Sequence, residues 1–158
     1  MEIQLRQESL RCYLPVFNQT VSAENTAEAV VPDTMPDIAS ILDSASAVFL
    51  REKNMTDGRI DLTGEVRSTV IYLGEEDATV RKLELNMPCS FSLEDASIRE
   101  DDLFTVDLIL LRAEPRMVNP RKIAVTAETA AKVTVFREEE IRITTGVDAE
   151  GIDRKSVV

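Results

Sequence analysis

The stretch Glu28-Ala-Val-Val-Pro-Asp-Thr-Met-Pro-Asp-Ile-Ala-Ser-Ile-Leu-Asp43 sets two Pro-Asp steps between a short apolar run and a segment of helical spacing. Each proline pushes the residue before it out of the helical region, so Val31 and Met35 are expected to be extended or in a turn. Thr34 with Asp37 three residues on resembles a capping box in which Asp replaces the commoner Glu or Gln. Ile38, Ile41, Leu42 and Ala45 then fall at i, i+3, i+4 and i+7, which predicts a short helix near Pro36 to Ala45 with one apolar face. The joint reads as structural, with Asp33 and Asp37 placed for capping ahead of contact.

Downstream of this joint the period changes to two. In Arg59 to Leu73 the residues Ile60, Leu62, Val66, Val70 and Tyr72 share one parity and charged or polar residues hold the other, with Gly64 marking a bulge or a close backbone approach. Thr56-Asp57-Gly58 is a turn from a preceding strand over Ala47 to Lys53, and Gly74-Glu75-Glu76-Asp77 closes the next hairpin. Val80 to Asn86 continues the alternation, and Pro88 implies an edge, a bend or a strand end. Leu103 to Leu111 is apolar on both parities and is expected to be the most central strand. After Val118-Asn119-Pro120, Ile123 to Val135 keeps one parity for a length that suggests a bend or a strand shared between two sheets.

The amino-terminal stretch fits helical spacing through Leu10, Tyr13, Leu14 and Phe17. Pro15 would interrupt such a helix, so the segment is expected to be extended. Beyond Thr145 periodicity fades and charge rises, so residues 146–158 read as a tail or linker behind a single domain over 1–145. The sum is a mainly β chain: an antiparallel β-sandwich with Greek-key-like connections, seven to nine strands and one short helix.

Composition bounds the chemistry. The 158 residues, 44% hydrophobic, suffice for one sizeable core. A formal net charge of −11 argues against nucleic acid and anionic lipid as partners. No apolar run is long enough to span a bilayer, and the first residues alternate polar with apolar where a signal peptide would be apolar, so the expected location is cytoplasmic. Cys12 and Cys89 fit no zinc or redox spacing and are expected to be free thiols. The sequence has no histidine, which removes the commonest general base and metal ligand. It also lacks a phosphate-binding glycine loop. The acidic runs Glu75-Glu76-Asp77, Glu100-Asp101-Asp102 and Glu138-Glu139-Glu140 sit at expected turns and strand ends, where solvated charge belongs; a weak Ca²⁺ site at the first or second is the one metal option. No catalytic residue and no cofactor are expected.

The ordered elements Val30-Val-Pro-Asp33, Pro36-Asp-Ile38, Gly64-Glu-Val-Arg-Ser-Thr-Val-Ile-Tyr72 and Val118-Asn-Pro-Arg-Lys-Ile123 resemble the SPOCS family, the spore coat-associated domain of endospore-forming clostridia. The likeness runs from about Thr26 to Phe136. It implies a non-catalytic module of spore coat or cortex assembly, on the mother-cell side of the developing spore, that docks other spore-envelope proteins. In that family the domain often occurs in tandem or ahead of a LysM module, and no LysM-like segment is visible here. Pro32, Asp33, Pro36, Asp37, Asn119, Pro120 and Arg121 are the family-motif residues that would mark an interaction site. A cell-wall glycan-binding sandwich is the rival reading, and the lack of Trp with two Tyr weighs against it. A homo-oligomer is an open option.

Overall fold

The computed structural model describes residues 3–149, all of whose regular structure is strand. Six strands follow in order: β1 (Ile3–Val30), β2 (Ile38–Thr56), β3 (Arg59–Gly74), β4 (Val80–Glu94), β5 (Leu103–Asn119) and β6 (Lys122–Ala149). They form two antiparallel three-stranded sheets, β1-β6-β5 and β2-β3-β4. The sheets pack face to face, with β1 over β4 and β5 over β2. Val66, Val70 and Tyr72 of β3 meet Ile123 and Val125 of β6 in one buried cluster; Ile60 and Leu62 meet Val133 and Val135 in a second. The expected inward parity of β3 is therefore the core, and each such aliphatic side chain contributes about 1.5–3 kcal/mol relative to exposure.

Three expectations are corrected. No helix forms over Pro36 to Ala45; Ile38 begins β2 instead. Ala39, Leu42 and Arg51 are extra residues without a partner on β3, so β2 is repeatedly bulged. Each of the first two bulges inserts one residue, moving the inward or half-buried positions to Ile38, Ile41 and Ser44, a spacing of three that imitates a helix. Secondly, β5 is an edge strand, not the central one. Its second apolar face is solvent-exposed at Ile109, and Leu111 is a bulged residue. The central strands are β3 and β6. Thirdly, the strands number six because β1 and β6 each run unbroken for 28 residues. Pro15 is carried at the edge with Val16 bulged beside it, and β6 stays in one sheet. Strand β6 also reaches Ala149, so residues 146–149 belong to the ladder and not to a tail; the rest of the expected tail lies outside the described residues.

The sheets differ in length. β2, β3 and β4 have 15 to 19 residues, and beyond about Pro15 and Arg137 strands β1 and β6 continue as an exposed two-stranded ribbon. At the root of that ribbon the crossing from β4 to β5, residues 95–102, is pinned. Arg137 donates from Nε and Nη2 to the two carboxylate oxygens of buried Asp102, both at 2.8 Å, and from Nη2 to the Ser97 carbonyl at 2.7 Å. Ile98 of the same crossing is buried, and the β2–β3 turn hydrogen-bonds it through Gly58 N–H to Ile98 O at 2.9 Å. Gly58 has φ +78°, which its lack of Cβ allows.

Gly64 marks a close approach: a Cβ there would lie 2.7 Å from the Phe49 carbonyl oxygen and 3.0 Å from Leu108 Cδ1. Gly64→Ala is expected to destabilise the fold by about 1–3 kcal/mol, read as a lower urea midpoint at unchanged slope. A second prediction concerns acid. The Arg137 guanidinium holds the Asp102 carboxyl below its usual value of 3.8. The pair's contribution is therefore complete above that pH and is lost as pH falls through the lowered value, since unfolded chains take up the proton first. Asp102→Asn is expected to cost about 3 kcal/mol at neutral pH. Its stability should also fall less steeply than that of the wild type below about pH 4 in thermal melts.

Candidate functional site

The crossing from β1 to β2 contains the Pro-Asp steps, and the β5–β6 hairpin contains Asn119-Pro120-Arg121. The fold brings them together at the end of the sandwich opposite the ribbon. Ladder-like bonds dock one on the other: Val31 N–H donates to Arg121 O and Ile38 N–H to Pro120 O, both at 2.8 Å. The Arg121 side chain then fills the loop. Its Nη1 donates to Met35 O and Asp37 Oδ1 at 2.9 Å, and its Nη2 to Val31 O and Pro32 O at 3.0 Å. A crossing loop turns its carbonyls away from any ladder, and a planar guanidinium with fixed N–H directions can satisfy several of them at once.

All seven sequence-derived site residues lie in this clasp. Pro32 and Asp37 supply oxygens to Arg121, and Asp33 stands fully exposed with its carboxylate 3.7 Å from the same guanidinium. Pro36 packs against Gly74, where a Cβ would meet Pro36 Cγ at 2.8 Å. Asn119 Oδ1 accepts from Arg121 N–H at 2.8 Å, which shapes the hairpin turn, and Pro120 supplies the carbonyl that starts β2. Capping is corrected: with no helix to cap, the Asp37 carboxylate serves Arg121, and Asp37 O accepts from Glu75 N–H at 2.8 Å. Met35 turns inward, where the Tyr72 hydroxyl donates to its sulfur at 3.7 Å.

Beside the clasp is an open cleft of about 430 Å³ lined by the 33–37 loop, Glu76, Asp77, Arg81 and Arg121. Sequence reasoning missed Arg81 and Asp77 as parts of it; the turn from Gly74 to Thr79 was the available signal. Asp77 accepts from Thr79 Oγ1 at 2.7 Å, Thr79 N–H at 3.1 Å and Arg81 Nη2 at 2.6 Å, and these bonds hold its carboxyl down to about 2. That carboxylate is ionised throughout the neutral range, so it cannot deliver a proton there. Asp37 pairs with Arg121, and Asp77 with Arg81, whose Nε is buried without a hydrogen-bond partner; Asp33 and Glu76 stand exposed at the rim. The arrangement can recognise charge; nothing in it resembles an activated nucleophile with its base.

Asp102 serves Arg137, and among the described residues no group of three or more Asp, Glu or Cys side chains is placed to hold a metal ion. Cys12 is half-buried on β1 and Cys89 buried on β4; both are free, and burial pushes the Cys89 thiol up. No helix of the described chain is long and apolar enough to cross a membrane. Comparison with protein-family models, curated proteins and solved structures finds no match.

The clasp generates a discriminating set of substitutions. Ile38 is 2% exposed and sits in the core below the clasp, so Ile38→Ala is expected to cost about 2–4 kcal/mol. Leu42 is a bulged residue 51% exposed, so Leu42→Ala should cost under about 0.5 kcal/mol, whereas a helix packed on the sandwich would make the two equal. Arg121→Lys keeps the charge but loses the fork, and is expected to cost about 2 kcal/mol in chemical denaturation.

Proposed function

We propose that this chain is a non-catalytic interaction module of the spore envelope, of the SPOCS type, acting in coat or cortex assembly from the mother-cell side. The observation that carries the reading is the clasp. Two of the separated segments that bear the family resemblance meet at Arg121, which comes from the second and whose guanidinium is satisfied by four oxygens of the first. Such residues hold a loop in place and keep its backbone paired, which is a reason for the motif that involves no chemistry on a substrate. Sheet faces and edges are then the surfaces left for docking spore-envelope proteins, and the −11 charge favours partners with basic surfaces.

The test is a fluorescent fusion expressed in a sporulating clostridial host, run beside sedimentation of the purified chain with peptidoglycan. A ring at the developing spore without co-sedimentation is the expected result. Diffuse fluorescence throughout sporulation sinks the proposal. Saturable co-sedimentation with peptidoglycan replaces it with the glycan-binding reading.

A further inference from the structure

We propose that two copies of this chain join through the amino-terminal halves of β1, paired antiparallel about a two-fold axis at Gln7, so that the sheet β5-β6-β1 continues into β1-β6-β5 of the second copy. The ribbon is the first ground. Among the described residues, eight of the eighteen large hydrophobic side chains most exposed to solvent lie in its two segments: Ile3, Leu5, Leu10, Tyr13, Leu14, Ile141, Ile143 and Val147. An isolated two-stranded ribbon is marginal in water, and a third and fourth strand would bring it to the minimum for independent stability. The β1 side of the ribbon, Ile3 to Leu14, carries two arginines against one carboxylate in a chain that carries −11 overall, so the acidic surface that keeps copies apart elsewhere is missing along this edge.

The state of the free edges is the second ground. Edge strands that must not pair are interrupted by proline or bulges. Strand β2 has unpaired Ala39, Leu42 and Arg51; β4 has Pro88; β5 has Pro115 with bulged Leu111 and Val118; β1 has Pro15 and bulged Val16. The stretches Ile3 to Leu14 and Phe17 to Val30 of β1 have neither; the second carries only the acidic Glu24 and Glu28, whereas the first carries both signs, and the register shift near Arg6 comes from Thr145 on the opposite strand. The free edge of β6 beyond Arg137 carries Glu138-Glu139-Glu140, which two-fold pairing would set carboxylate against carboxylate.

Charge then selects the register. A two-fold axis normal to the sheet pairs residues of one parity, because directly opposed residues share a face. Centred on Arg6, the pairing opposes Arg6 to Arg6; centred on Glu8, it opposes Glu8 to Glu8; centred on Ser9, it opposes no ion to its opposite. Centred on Gln7 it sets Arg6 against Glu8 twice, with Leu5 beside Ser9 and Gln4 beside Leu10. The paired segment ends at Arg11, before β1 enters the sandwich, so the two sandwiches lie at opposite ends without collision.

The experiment is sedimentation velocity of the full chain from low-micromolar to near-millimolar concentration, with far-UV spectra to confirm that each variant folds. The wild type should dimerise reversibly. Arg6 already lies 3.1 Å from Asp148, so Glu8, opposite Ile143 in its own ribbon, is changed first. Glu8→Arg should raise the dimer dissociation constant about tenfold, and adding Arg6→Glu should recover the dimer. In a Cys12→Ser background, Gln7→Cys should form a disulfide-linked dimer on mild oxidation, since paired strands bring opposed Cα atoms to about 4.5–5.5 Å, and Ser9→Cys should not. A chain that stays monomeric, a dimer indifferent to Glu8→Arg, or one that cross-links through Ser9→Cys in place of Gln7→Cys overturns the proposal.

Discussion

One guanidinium at each end of the sandwiched part of β6 holds one of the two places where the chain crosses between sheets. Arg121 grips the crossing from β1 to β2, and Arg137 grips the crossing from β4 to β5. Without these crossings the molecule is two unconnected three-stranded sheets, each with a bare apolar face. The ladders fix each sheet, but only the crossings set how one sheet lies on the other. Each crossing has carbonyls that no strand serves: Arg121, in the turn that leads into β6, takes those of Val31, Pro32 and Met35, and Arg137 of β6 takes that of Ser97. The second grip depends at neutral pH on an ionised, buried carboxylate, so it weakens as pH falls through the lowered value of Asp102.

At mid-length small side chains, Gly64, Ser46 and Ser68 on one sheet and Ala127, Thr129 and Ala131 on the other, lie where the two apolar clusters meet, and Val48 packs against both. The Ser46 and Ser68 hydroxyls satisfy each other at 2.8 Å, and Thr129 Oγ1 lies 3.4 Å from the Ala23 carbonyl. Small side chains at mid-length let the sheets approach where larger ones would hold them apart.

Much of this was legible in the residues. The inward parity of β3, the turns at Asp57-Gly58 and Gly74-Asp77 and the extended amino-terminal segment all follow from period and turn chemistry, and of the edge, bend or strand end that Pro88 implied, the edge is what the structure has. The helix over Pro36 to Ala45 failed for a definable reason: bulges at Ala39 and Leu42 stretch a strand's period of two to three, and a short apolar segment then has the spacing of a helix. The central placement of Leu103 to Leu111 failed because apolarity on both parities, with Leu111 bulged, looks like burial on both faces. The site residues were found as two motifs, but the partnership of Arg121 with four oxygens 84 to 90 residues away depends on topology, which no local pattern encodes.

The ribbon has a mechanical consequence. Its two strands are antiparallel and Ile3 stands opposite Ala149, so tension applied through these two ends acts across the ladder and loads one cross-strand pair at a time. Such a geometry peels like a zipper at low force. The peel would travel about 40 Å, at 3.4 Å per residue, before it met bulged Val16 and the Arg137 grip, where the load would pass to the packed sheets. The ribbon therefore acts as a mechanical fuse: it yields first and re-forms by pairing its own ends, while the sandwich behind it stays folded.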